Sequence, residues 1–175
     1  MLRWLVRIVL AVVVIVVGGA YLMPQNVHVG RSTEIAAPPA KIFAIINNHK
    51  RFNEWSPWAE LDPKTQYTYS GPATGVGSKM AWSSTNSSVG SGSQEIVESI
   101  ADKSVVVKLD LGDMGKADAA LTLEPAGAGT KVTWGVEIDV GMNPIGRWTG
   151  LMLDRWIGAD YEKGLGRLKS LAEKP

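Results

Sequence analysis

Cysteine is absent from the 175 residues, so neither a disulfide framework nor thiolate chemistry is available. The absence does not fix a compartment, because an exported protein can lack disulfides. Histidine is scarce: His28 and His49 are the only two, they have no paired spacing, and they make no zinc motif. Excess charge is also missing. The net charge is +1, and without Arg3 and Arg7 the remainder carries 16 basic and 17 acidic residues, a balance of −1. Nothing there is the basic footprint of a nucleic-acid binder. No G-x-S-x-G occurs, and no motif suggests a Ser-His-Asp set. The segment GPATGVGSK has the wrong lysine spacing for a P-loop and lies between two strand patterns rather than before a helix. No cofactor is implied.

What the sequence does have begins at its N-terminus. From Ile8 to Met23 sixteen residues run without a charge, and counting from Trp4 gives twenty interrupted only by Arg7. Twenty helical residues span about 30 Å, the thickness of a hydrocarbon core. Arg7 can snorkel to headgroups, and Trp4 and Tyr21 stand near the two ends, where interfacial aromatics are favoured. A signal peptide cleaved after Ala20 is the competing reading. The continuation through Tyr21, Leu22 and Met23 favours an uncleaved anchor. The expectation is a membrane segment over residues 1–23, a tether over 24–26 and a folded domain over 27–175. Arg3 and Arg7 put the N-terminus in the cytoplasm and the domain outside the inner membrane.

The pattern then changes to period two. Val27, Val29, Arg31, Thr33 and Ile35 alternate with His28, Gly30, Ser32 and Glu34, which predicts a strand. Ala37-Pro38-Pro39 breaks it and can open a short helix over KIFAIINN. A second helical turn follows in HKRFNEWSPW and is limited by Pro57. From Thr65 six further strands are predicted, with turns at the glycine-rich GPATGVG, the Ser/Gly run WSSTNSSVGSGS, Ala101-Asp102-Lys103 and Ala126-Gly127-Ala128-Gly129. Short turns imply an antiparallel meander with one apolar and one wet face. Asn143-Pro144 opens a long helix to about Leu171. Ile145, Trp148, Met152, Ala159, Leu165 and Leu168 are expected on its sheet-covering face, while four glycines weaken its propensity.

This order, together with EIAAPPAKIFAIINNHKRFNEWSPW, YSGPATGVGSKMAW and TLEPAGAGTKVTWGV, resembles the SRPBCC proteins. These are polyketide cyclase/dehydrase-like members of the START/Bet v1-like superfamily, and the resemblance covers about Val27 to Ala172. It implies an α+β helix-grip fold: a strand, two short helices, a six-strand antiparallel meander and a long C-terminal helix. Here that fold would follow an N-terminal transmembrane helix. The resemblance also implies a cavity between the sheet and the C-terminal helix for an apolar or aromatic ligand.

Arg31, Trp55, Trp58, Tyr69, Trp82, Leu109, Leu121, Trp134, Trp148 and Met152 are the candidate lining residues, with Ala117 and Ala119 leaving space. The bland alternative is that the aromatics only fill a core. Arg31 shares the parity of Val29 and Ile35, so it points inward and must be paired or bind an anionic or carbonyl group. Lys108 and Asp110 belong on the wet face. Glu54, Glu60 and Asp62 flank Trp55 and Trp58 in a polar, proline-bounded loop. They are expected to be solvated, with Phe52, Trp55 and Trp58 capping the core or lining a pocket mouth. His28 and His49 are expected at the surface.

Two functions follow as expectations. One is a membrane-tethered binding domain for a lipid, isoprenoid or aromatic molecule. The other is a cyclase/aromatase-like enzyme using Arg31, Tyr67 and Tyr69.

Overall fold

A computed structural model describes residues 2–112 and 115–174; Met1 and Pro175, the ends of the two main expected segments, lie outside it. The order is α1 (Leu2–Ala20), β1 (Asn26–Ile35), α2 (Pro39–Ile46), α3 (His49–Phe52), β2 (Gln66–Ser70), β3 (Lys79–Ser83), β4 (Ser91–Ile100), β5 (Ser104–Asp110), β6 (Lys116–Ala126), β7 (Gly129–Asp139) and α4 (Pro144–Ala172). The seven strands form one antiparallel sheet in the order β1-β7-β6-β5-β4-β3-β2. The meander therefore returns its last strand to pair with its first. Most of the sequence leads to this directly: the period-two runs bury one side, and the turn residues set the hairpins.

Two helix starts have visible causes. Proline at the start of α2 and α4 has the backbone angle of a first helical turn and no N–H to leave unpaired. Asn143 adds a cap, its side chain accepting from the Ile145 backbone N–H at 2.9 Å.

α4 crosses the sheet on a face made largely of small residues. Its buried positions are Arg147, Gly150, Gly158, Tyr161, Gly164, Leu165, Leu168 and Ala172. At Gly158 an added Cβ would run into the Arg31 guanidinium. At Gly164 it would lie 2.7 Å from Cζ3 of Trp134 and 3.2 Å from Cδ of Pro57. The glycines weaken the helix locally but let it sit directly on β1 and β7.

This corrects the expected face of α4. Leu165 and Leu168 are buried as expected, but Ile145, Trp148, Met152 and Ala159 are exposed. The covering surface in the first half of the helix is the glycine side, because only there can the backbone come close enough to the strands. α1 is apolar along its length, only 6% buried, and long enough by composition to cross a bilayer.

Two alanine substitutions separate close packing from helix propensity. Gly164→Ala should lower stability by about 1–2 kcal/mol, because overpacking outweighs the roughly 1 kcal/mol gained in propensity. Gly166→Ala, which meets nothing within 4 Å, should stabilise by up to about 1 kcal/mol. Thermal melts of the two variants moving in the same direction would refute the claim that Gly164 is held by contact.

Candidate ligand-binding site

The sheet's register lays the inner face out in rows. Val105, Leu121, Trp134 and Arg31 are successive cross-strand partners over β5, β6, β7 and β1. The next row is Val107, Ala119, Val136 and Val29, and the one after it is Leu109, Ala117, Ile138 and Val27.

The first row carries the bulk. The Trp134 indole stacks on the Tyr161 ring of α4, with centroids 3.8 Å apart and planes 6° from parallel. Trp55 meets Trp134 edge-on at 5.0 Å, and Trp58 does so at 5.9 Å. Phe52 packs on Trp55 at 5.0 Å. Such pairs add roughly 0.5–1.5 kcal/mol each beyond the area they bury. The middle of the grip is thus filled by five aromatic rings from α3, the turn after it, β7 and α4. Burial pushes the Tyr161 hydroxyl's pKa well above its ordinary value.

The third row is different. Leu109, Ile138 and Val27 are only half-buried, and the floor between Leu109 and Ile138 is the small side chain of Ala117. Leu153 and Ile157 of α4, also half-buried, pack against the same core. Val27 lies beside Gly150, whose Cβ would come 3.1 Å from its methyl. The apolar face of the sheet therefore opens toward the end where β1 begins and α1 stops. Trp82 is half-buried at the same end. Its ring folds over Gly92 and its Nε1–H donates to the Val89 carbonyl at 3.3 Å.

Arg31 does point inward under α4, and it is fully paired. Nε donates to Glu162 at 2.9 Å, and Nη1 donates to Asp154 Oδ1 at 2.9 Å and to the Gly30 carbonyl at 2.8 Å. Nη2 donates to the Asp154 carbonyl at 3.0 Å and to its Oδ2 at 3.2 Å. These bonds, with the Asp154 bonds dominant, raise its pKa further and lower that of Asp154. The guanidinium is a clasp between β1 and α4, with no donor left for a ligand.

The acids of the tryptophan turn are likewise engaged at the surface. Glu54 accepts from Arg51 at 2.9 Å, Glu60 accepts from Arg167 at 2.5 Å, and Asp62 accepts from Ser84 at 2.5 Å. The Arg51 bond lowers the Glu54 pKa, and the Ser84 bond lowers that of Asp62. A general acid needs the opposite shift.

The remaining candidates fall into place around this core. Leu121 is buried beside Trp134. Tyr69 is 39% exposed, and its hydroxyl accepts from Asn53 at 3.4 Å. Trp148 lies away from the sheet and donates from Nε1 to the Val16 carbonyl of α1 at 3.0 Å. Met152 is exposed on the same outer side. Trp148 and Met152 are therefore outside the grip, a consequence of the glycine face of α4. Tyr161 and Ile157 belong to the interior and were not singled out by sequence. The i, i+3 and i+7 spacing of the buried Gly158, Tyr161 and Leu165 carries the missing signal.

Neither of the two depressions described involves α4. One, of about 360 Å³, draws its lining mainly from wet-face residues including Lys79, Glu95, Lys108 and Asp110. The other, of about 160 Å³, is lined by His49, Tyr69, Ser78 and neighbours in the β2–β3 turn.

His49 is buried, contrary to the surface expectation, because α3 turns it against Ser78. Its Nδ1 is 3.4 Å from Ser78 Oγ, and its Nε2 is buried without a partner. Among the described residues no group orients Nε2 as the third member of a nucleophile–base arrangement would.

An antiparallel sheet gripping a long helix, with apolar residues lining the grip, defines the helix-grip fold. Residues 26–173 match the family described as polyketide cyclase / dehydrase and lipid transport, and the chain belongs to that family. No curated protein matches the chain.

Among solved structures it is similar to a protein from Thermobifida fusca at 19% identity, with a TM-score of 0.63 over 83% of this chain and 92% of that one. The di-domain ARO/CYC StfQ of the steffimycin biosynthetic pathway is 13% identical, with a TM-score of 0.62 over 85% of this chain and 51% of that one. Ara h 8.0201 is 16% identical, with a TM-score of 0.57 over 83% and 99%. At these identities the likeness establishes the Bet v1-like fold.

Burial lowers the His49 pKa from 6.5 to about 4. Between those values the unfolded chain binds the proton and the folded chain does not, so stability falls as pH falls from about 6.5 to 4. The loss should reach roughly 3 kcal/mol at the acid end. His49→Gln should flatten this limb in melts recorded from pH 7 to 4. Equal slopes for variant and parent would contradict the burial of a neutral imidazole.

Proposed function

We propose that the chain is a membrane-tethered binding domain that holds an apolar molecule (lipid, isoprenoid or aromatic) at the open end of the grip. The observation that carries this reading is the row Leu109, Ala117, Ile138 and Val27. It is the apolar row where burial fades, and its floor is an alanine. Farther in, the aromatic cluster closes the grip, so a ligand lodges above Ala117 and stops at the rings. Trp58, half-buried and edge-on to Trp134, forms the inner wall.

The family description, which joins cyclase/dehydrase and lipid transport, supports a hydrophobic ligand or cyclase-like chemistry. α1 is the anchor in this proposal, with the N-terminus cytoplasmic and the domain on the outer side. The open end lies beside the C-terminal end of α1, which suits exchange of an apolar ligand with a bilayer. The cyclase alternative needs Arg31 free for substrate, and its pairing to Asp154 and Glu162 supports binding over turnover.

Native mass spectrometry of the full chain released from gentle detergent tests this. The parent should carry an apolar adduct of defined mass, and Ala117→Trp, which fills the floor, should lose it while keeping its circular dichroism spectrum. A bare parent mass, or an adduct unaffected by the folded Ala117→Trp variant, would overturn the proposal. A variant that fails to fold shifts the test to Leu109→Asp, with the same expected loss.

A further inference from the structure

α4 has two apolar sides over its first half, and the sheet covers only one of them. The outer side carries Ile145 (72% exposed), Trp148 (39%), Met152 (46%) and Trp156 (52%). Their spacing of three, four and four residues puts them on one stripe of a helix. Leu151 widens the stripe, and Met142 extends it into the preceding turn at 68% exposure. Two tryptophans among six large apolar residues exceed what scattered surface hydrophobics supply, and such a contiguous patch marks an interaction surface.

The chain itself indicates what lies against that surface. Trp148 donates to the Val16 carbonyl and packs 3.3 Å from the Cβ position of Gly19, so the stripe joins the C-terminal end of α1. Val16 lies four residues before the end of α1, about 6 Å along the axis. A bilayer crossed by α1 would then hold Trp148 at the depth of the headgroup–acyl boundary, where an indole is at its most favourable. The charges nearby suit the same place. Arg155 is exposed next to Trp156 and makes no ion pair among the described residues. The Arg147 guanidinium sits 5.4 Å from the ring centre of Tyr21 and donates to the Met23 carbonyl at 2.9 Å.

We infer that the outer stripe of α4 lies in the headgroup–acyl boundary of the bilayer that α1 crosses, with Trp148, Met152 and Trp156 inserted and Arg155 at the phosphates. This rests on the reading of α1 as an anchor and deepens it: the domain is held down at a second place and cannot swing on residues 21–25. The docked stripe fixes the end of the domain that carries the open row at Ile138 and Val27, which lies across α4 from the stripe, about 10 Å from the lipid surface. An interfacial helix with one apolar stripe and a flanking cation behaves in this way.

The absence of native cysteine makes the test direct. Single cysteines at Val12→Cys, Met152→Cys, Trp156→Cys and Lys103→Cys in the full chain are labelled with an environment-sensitive fluorophore and placed in phosphatidylcholine/phosphatidylglycerol vesicles. Lipid spin-labelled near the headgroup should quench the labels at 152 and 156 by about twofold or more, as expected for insertion at the boundary. The label at 103, in the β4–β5 turn, should be unaffected. Lipid spin-labelled deep in the chain should quench the label at 12. Quenching at 12 with labels at 152 and 156 behaving like the one at 103 would overturn the docking and leave the anchor. No quenching at 12 would overturn the anchor itself, and the docking with it. Disulfide-linked dimers of the unlabelled Trp156→Cys chain under mild oxidation, with no lipid quenching of the labelled chain at 156, would make the stripe a contact between two copies and overturn the inference.

Discussion

At Gly158 and Gly164 there is no room between α4 and the sheet for even one more carbon atom. Everything on the inner face follows from that closeness. At Gly158 the helix backbone lies over the Arg31 guanidinium, which then reaches Asp154 and Glu162 on either side of the glycine. At Gly164 the backbone lies on the Trp134 edge and Pro57, and Tyr161, one turn earlier, comes down flat on the indole. A helix held off by larger side chains would lose the clasp and the stack together. The cost is paid in helix propensity, about 1 kcal/mol for each interior glycine.

The same closeness divides the grip into a closed and an open part. Where the rings of Phe52, Trp55, Trp58, Trp134 and Tyr161 converge, the interior is solid. Two rows toward the start of β1, the side chains shrink to Ala117 and the apolar residues are half-buried. The end that opens is the end that α1 leaves, and α4 turns its uncovered tryptophans outward there. The open row, the end of α1 and an apolar outer stripe therefore share one end of the molecule. The proposed exchange of an apolar ligand with a bilayer would use that shared end. The titratable groups agree: Arg31, Glu54 and Asp62 are tied into ion pairs or hydrogen bonds that hold them charged, away from the shifts that proton transfer requires.

Much of the fold was legible because its signals are local. The alternation of Val27, Val29, Arg31, Thr33 and Ile35 specified a half-buried strand, Pro38-Pro39 and Pro144 specified helix starts, and the turn residues specified hairpins. The inward arginine was legible from parity plus the cost of burying an unpaired charge. The face of α4 was not. Trp148 and Met152 outweigh glycines on any hydrophobicity count, yet the glycines mark the packed side, because packing distance decides there rather than apolar area. His49 was also missed: its local sequence is polar, and its burial depends on Ser78 in a distant strand. The open row could be found only after register was known, since Leu109, Ala117, Ile138 and Val27 come from four separate strands.

The most direct measurement is the contact between the Trp134 indole and the Tyr161 ring, read by NMR on the full chain in lipid nanodiscs. Stacking at 3.8 Å predicts strong cross-relaxation between the two rings and upfield ring-current shifts of the Tyr161 protons. Absence of both, with the sheet intact, would mean that α4 rides higher than its glycines allow, and would contradict the account of how the grip is closed.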